Sequence, residues 1–278
     1  MITLVSIELY KIFRKWRTYI SFITLAVLSI IIQLVMYFQG QNFLDTVTRG
    51  LQQNFVISGN FLNGYLIAYF ILNMITIHIP FLITLVAGDL LAGEATGGTY
   101  RLILSRPVSR LKFILSKFIA GIIYTNLLIL FLALVSLGLG ILIFGTGELI
   151  VLRDIIIIFP TNDILWRFFI AYGFAALSMS VVTTLAFLFS SFVENAIGPI
   201  VATMAVIIVF LIISSIDLDF FNQIKPFMFT YYMLSWMDIF DDPINLTSII
   251  QSGIILLGHI IIFLTITILS FERKDILS

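Results

Sequence analysis

Residues 88–117 read GDLLAGEATGGTYRLILSRPVSRLKFILSK. Long hydrophobic runs press on this stretch from both sides, yet it carries patterned charge. An acidic pair, Asp89 and Glu94, comes first, followed by the Gly97-Gly98-Thr99 break. A basic amphipathic run continues through Arg101, Arg106, Arg110, Lys112 and Lys117. Pro107 divides that run into two short helices, because proline lacks an amide donor and its ring clashes with the preceding turn. A charged connector of this kind between two apolar segments reads as a docking surface on the cytoplasmic face of a membrane protein.

Composition supports the setting. The 278-residue chain is 60% hydrophobic and 11% charged, with a mean hydropathy of +1.14. Soluble domains carry about 25% charged residues, so the excess apolar surface requires lipid. A formal net charge of zero gives no electrostatic footprint for nucleic acid. With no cysteine, disulfides and thiolate metal sites are excluded. The two histidines, His78 and His259, are too few for a histidine-rich metal centre.

Working outward, the expected fold is an all-α integral membrane protein, a single transmembrane domain over residues 1–278. Residues 1–17 form an amphipathic interfacial helix, with Ile2, Val5, Leu9, Ile12, Phe13 and Trp16 on one side and Lys11, Arg14, Lys15 and Arg17 on the other. Six spans follow at about 18–38, 61–87, 118–144, 167–190, 197–216 and 248–271, each close to the roughly 20 residues that cross a bilayer. The Asn- and Gln-rich segment 40–60 reads as a loop, as does 145–166, whose apolar stretch Ile155 to Phe159 is too short to cross. Cytoplasmic coupling helices lie between spans two and three. Residues 217–247 are acidic at both ends and aromatic between, and are expected to form short outer helices that dip into the outer leaflet or cap the outer mouth.

Six spans place both termini on one side. Of the 15 Lys and Arg residues, only Arg49, Arg153, Arg167 and Lys225 fall in the outer segments if the amino terminus is inside. The positive-inside rule therefore puts both termini in the cytoplasm of a multi-pass protein of the cell (inner) membrane.

Motifs narrow the chemistry. The dipeptide Gly-Lys does not occur, so no P-loop is present. No Gly-x-Ser-x-Gly elbow and no His-Glu-x-x-His helix occurs either. The chain is not expected to be an enzyme, and any ATP it uses is hydrolysed by another chain. The span centres hold no Asp, Glu, Lys or Arg, which argues against an autonomous ion-driven carrier. In the second span Asn73, Thr76, Pro80 and Thr84 share one helical face, which lines either a translocation route or a helix interface. His78 lies off that face. In the fourth span Gly173, Ala176, Ser180 and Thr183 or Thr184 form a small-residue seam, within the subunit or across a dimer. The fifth span is almost wholly aliphatic, with Thr203, Ser214 and Ser215 polar, which favours a hydrophobic or amphiphilic cargo.

The organising stretch resembles the cytoplasmic signature of the ABC transporter type-2 permease family. The matching positions are Asp89, Glu94, Gly98-Thr99, Arg101, Leu104-Ser105, Pro107-Val108-Ser109-Arg110 and Lys117, about thirty residues in all. The resemblance implies the membrane subunit of a bacterial or archaeal ABC exporter or flippase that dimerises with a second copy or a paralogue. It also implies two cytoplasmic ATPase subunits, which would bind the ATP and Mg; no cofactor is implied in this chain. Asp89, Glu94, Gly98, Thr99, Arg101, Ser105, Pro107, Arg110 and Lys117 would then dock and couple the ATPase, and Asn73, Thr76, Pro80 and Thr84 would face the central route. The rival readings are a non-transporting membrane anchor or assembly protein and, more distantly, a membrane-embedded enzyme.

Overall fold

A computed structural model describes residues 1–52, 59–98, 109–153 and 155–273. The chain opens with α1 (Ile2–Arg14), turns at an extended Lys15, and enters α2 (Trp16–Gln52). Thr18 fixes the corner, its hydroxyl donating to the Ile12 carbonyl at 2.5 Å. The helix α2 runs well past Phe38, so residues 40–52 are helical and not loop. Gly40 is buried and lets Leu62 pack directly on the helix, and Gln41, Leu44 and Arg49 beyond it are good enough helix formers to continue it.

The second span is α3 (Gly64–Thr76), α4 (Ile79–Ala87) and α5 (Asp89–Thr96) in succession, not one helix over 61–87. Pro80 causes the first break. It sits in the first turn of α4 and has no amide to offer the Thr76 carbonyl. Asn63 starts α3, its side chain accepting from the amides of Tyr65 and Leu66. Gly98, with φ +63°, ends the α5 segment in the left-handed conformation glycine favours.

Span three is α6 (Arg110–Ala133), a single π turn (Leu134–Gly138) and α7 (Leu139–Phe144). The π turn disturbs the regular backbone pairing, and buried Gln33 of α2 donates to the Val135 carbonyl at 2.8 Å. A two-stranded antiparallel hairpin follows, β1 (Leu149–Leu152) with β2 (Ile156–Phe159), where the sequence suggested loop. Then come α8 (Leu165–Phe192) and α9 (Ile197–Ser215). The segment before the last span contains α10 (Asp219–Ile224) and α11 (Phe229–Tyr232) with 3-10 turns at Lys225–Phe227 and Ser235–Phe240, and α12 (Leu246–Glu272) closes the fold.

Among the described residues six helical stretches are long and apolar enough to cross a membrane: Trp16–Thr46, Ile79–Thr96, Arg110–Phe144, Thr161–Phe192, Ile197–Ser215 and Leu246–Glu272. The centre of the bundle is α8, packed by α12, α6, α4 and α9. Its small-residue seam faces inward from Ala176 on; the Thr183 and Thr125 hydroxyls meet at 2.6 Å, while Gly173 is exposed. By contrast α9 turns Ile197, Val201, Val209 and Ile212 outward, as a lipid-facing or partner-facing aliphatic helix does.

The short helices before α12 form a cap at the end of the bundle opposite the termini. Phe229, Trp236, Ile239 and Phe240 are buried, and Tyr69, Phe159 and Phe168 surround the Phe240 ring at 5.2, 6.4 and 5.1 Å. The cap sinks between the spans: His259, roughly 20 Å along α12 from its start, meets the Phe227 carbonyl at 3.2 Å. Protein covers the cap on its inner side, the condition under which irregular backbone is tolerated at membrane depth.

Candidate functional site

At the end of the bundle that bears both described termini, three carboxylates and four cations form two neighbouring ion-pair clusters. They are built from α1, the α1–α2 corner, α5 and α6. The Lys117 ammonium meets Glu8 at 2.6 Å and Glu94 at 2.8 Å. Lys11 meets the same two carboxylates at 2.9 and 2.8 Å. Five residues before Glu94, Asp89 receives Lys15 at 2.6 Å and Arg17 at 3.2 Å.

Local sequence explains each placement. Glu8, Lys11 and Ile12 share one face of α1 at helical spacing, and that face packs on α6. Asp89 and Glu94 lie on α5, the helical continuation of the second span. Gly93 leaves the Asp89 carboxylate its space: a Cβ there would come 2.6 Å from Oδ1. Lys117 is eight residues into span three, only 2% exposed, with its ammonium also 5.1 Å from the Phe113 ring centroid. A buried ammonium is expensive unless paired and hydrogen-bonded; here two carboxylates and an aromatic face receive it. Burial tends to lower the Lys11 pKa, but the hydrogen bonds and charges of Glu94 and Glu8 outweigh it and leave the pKa raised.

The α5 helix is held from below as well. Ser190, near the end of α8, accepts from the amides of Leu91 and Ala92 at 3.0 and 2.8 Å and donates to the Gly88 carbonyl at 2.7 Å. A side chain from another helix thus caps α5, whose own N-cap is a glycine. Thr96 donates to the Glu194 carbonyl at 2.7 Å, tying the far end of α5 to the turn after α8. Arg110 donates to the Glu272 carbonyl at 2.8 Å, joining the start of α6 to the end of α12.

Of the sequence-derived coupling residues, Glu94 and Lys117 are thus brought together, and Asp89 is engaged separately by Lys15 and Arg17. Gly98 marks the exposed end of α5, and Arg110 sits at the start of α6. Thr99, Arg101, Ser105 and Pro107, together with the paired short helices expected around Pro107, lie outside the described residues. Glu8 and Ser190 are the partners that sequence reading missed. Glu8 stood out in the sequence only as a lone acid in a basic helix, and Ser190 carried no signal beyond its place at the end of a span. The amphipathic reading of α1 is also adjusted: Ile12 is buried against the subunit and Val5 and Leu9 pack on its core, whereas Ile2 and Trp16 remain exposed.

The second-span stripe is mostly internal. Thr76, Pro80 and Thr84 are buried, and the Thr76 and Thr84 hydroxyls donate to the carbonyls of Leu72 and Phe81. Half-buried Asn73 reaches the Met237 sulfur of the cap at 3.8 Å. His78 lies off the stripe in the turn between α3 and α4, exposed, with Nδ1 2.9 Å from the Met74 carbonyl.

At the opposite end, Arg167 opens α8 and is nearly buried. It pairs with Asp163 at 2.8 Å, donates to the Ile239 carbonyl at 2.6 Å and stacks 4.2 Å from the Phe159 ring centroid. The sequence offered Arg167 only as a topology marker; in the structure it fastens cap and hairpin to the central helix.

A bundle with six helices long and apolar enough to cross a membrane, carrying an ion-paired helical assembly at its terminal end, defines a multi-pass membrane protein among the described residues. The sequence pattern of the ABC-2 family transporter proteins matches residues 2–276, and the chain belongs to that family. It is also 26% identical over 204 residues to the uncharacterized protein YhcI of Bacillus subtilis (strain 168), a match covering 69% of this chain and 63% of that protein. The chain therefore aligns with somewhat less than two thirds of that relative's length.

Proposed function

We propose that the chain is the membrane subunit of an ATP-binding-cassette exporter or flippase, driven by a separate cytoplasmic ATPase subunit and completed by a second permease copy or paralogue. Both termini lie in the cytoplasm of the cell membrane in this reading. The observation that carries it is the network joining α1, α5 and α6 through Glu8, Lys11, Glu94 and Lys117. A partner that closes on ATP must push on something stiff, and that element must connect to the spans. The assembly meets both needs, since α5 continues span two and α6 begins span three.

In this reading Asp89, Glu94 and Lys117 act as positioning residues, while Gly98, Thr99, Arg101, Ser105, Pro107 and Arg110 lie at or next to the ATPase surface. Charge on such a surface sets registration and encounter more than affinity. The stripe of Thr76, Pro80 and Thr84 forms a seam that opens towards the central route when α4 moves against α8 and α9; Asn73 sits at its outer end.

The test is expression of the tagged chain with its native neighbours, extraction in mild detergent and intact-complex mass. Two permeases with two P-loop ATPases support the reading. A lone chain, stable across gentle detergents, overturns it in favour of an anchor or assembly protein.

A further inference from the structure

A cavity of about 530 Å³ lies between the cap and the first turns of α12, a size that admits a small organic molecule. The residues that give it character are Tyr231, Tyr232, Asp238, Arg153, Gln251 and Ser252. The Tyr232 hydroxyl donates to the Pro226 carbonyl at 3.0 Å, which fixes its ring, and the half-exposed Tyr231 ring stands edge-on to it at 5.1 Å. Ser235 donates to Ser252 at 3.2 Å and ties this wall to α12.

The charges at the cavity do not balance. Arg153 gives its closer contact, 2.6 Å, to Asp241, which stands behind the lining. Asp238 faces the cavity and keeps the same guanidinium at only 3.4 Å. One cation thus serves two carboxylates, so Arg153, Asp238 and the Asp241 behind the lining together carry a formal charge of −1. Burial pushes the Asp238 carboxyl above the ordinary aspartate range, against the partial opposition of Arg153. An arriving cation would compensate that desolvation by its opposite charge, and aromatic faces beside a carboxylate are the surroundings in which quaternary cations are held. An anion would meet the opposite field.

We propose that this cavity binds an organic cation carried on an apolar body, of the quaternary ammonium or phosphonium class. The proposal rests on the transporter reading only for its role as a cargo site; binding itself needs no ATPase. The same chemistry is offered by a free amphiphilic cation and by the ammonium headgroup of a membrane lipid.

The test is equilibrium dialysis of the full chain in neutral detergent with tetraphenylphosphonium, and separately with the size-matched anion tetraphenylborate, after subtraction of empty micelles. The expected result is a saturable site for the phosphonium, one per chain, and no saturable component for the borate. Asp238→Asn should weaken phosphonium binding roughly tenfold. Gln251→Trp, at an exposed position on the rim, should block the cavity with the charges left in place. Saturable borate binding of equal strength, absence of any saturable phosphonium site, or an unchanged affinity in folded Asp238→Asn would overturn the proposal. The comparison of the two ions on the unaltered chain decides the matter even where a variant fails to fold. Displacement by added phosphatidylcholine, whose headgroup is a quaternary ammonium, assigns the site to lipid headgroups, and lack of displacement to free amphiphiles; the shared chemistry stands in both. Loss of phosphonium binding with the ATPase still co-purifying would remove the cargo class and leave the transporter reading in place.

Discussion

Lys117 is 2% exposed, and its ammonium is tolerated there because Glu8 and Glu94 receive it from two different elements. Removing one member of such a set costs more than the set contributes, since without Lys117 the two carboxylates keep only the part-exposed Lys11. Lys117→Met should destabilise the chain by about 3–5 kcal/mol, while adding Glu8→Gln to Lys117→Met should recover part of that loss. A double-mutant cycle on thermal unfolding in detergent measures the coupling, and additive effects would show that the pair does not act as a unit. Lys11 adds a pH signature. Its folded-state pKa is raised above the ordinary 10.5, so its contribution is fully present below pH 10.5 and fades as pH rises through the raised value. An alkaline titration of α1 docking, followed by proteolysis near the amino terminus, should show this loosening in the wild type and not in Lys11→Met. Ser190→Ala removes the acceptor shared by two amides of α5 and should cost about 1–3 kcal/mol, with faster hydrogen exchange at Ala92 as the local readout.

At the scale of elements, helix crossings and breaks determine how motion passes through the bundle. Gly64 opens α3 directly against the backbone of Gly140 and Ile141 in α7, so that a Cβ at Gly64 would fall on main-chain atoms. Backbone cannot swing aside as a side chain does. Gly64→Ala should therefore force the two helices apart and lower the melting temperature, whereas the same change at open Gly258 should leave it within a few degrees; equal melting temperatures would contradict the crossing. What the sequence disclosed follows the same division. Hydrophobic runs and turn residues pointed to an all-helical chain with six apolar spans, an amino-terminal helix and short helices before the last, because each is a local pattern, although the second long apolar stretch is 79–96 where the sequence reading put 61–87. Pro80 held the information for the break in span two, but a continuous apolar run masked it. The helix through residues 40–52 was hidden by its polar composition. The hairpin of residues 149–159 was hidden by an apolar run too short for either assignment. The Lys117–Glu8 pair joins residues 109 apart, and Ser190 reaches amides 98 and 99 positions away; periodicity holds no record of such partners. Asp89, Glu94 and Lys117 were legible as candidates, yet the pairing of Glu94 with Lys117 and Lys11, and of Asp89 with Lys15 and Arg17, required the fold.

For the whole molecule, the two ends of the bundle are built for different tasks. The terminal end concentrates ion pairs on α1, α5 and α6, and the opposite end holds an aromatic cap fastened by Arg167. Between them, α3 and α4 of span two and the part of span three beyond Lys117 carry no charged residue, which suits a body that is pushed at one end and opens at the other. The natural absence of cysteine gives a direct way to examine this polarity. Single cysteines placed at exposed Lys112, beside the assembly, and at exposed Gln223, in the cap, can each be crosslinked in intact cells with a short bifunctional reagent. The account expects Lys112→Cys to capture a P-loop ATPase and to resist a membrane-impermeant maleimide, and Gln223→Cys to capture no ATPase and to react with that maleimide. Capture of the ATPase from Gln223→Cys, or of no ATPase from either position in cells that contain the native neighbours, would contradict it.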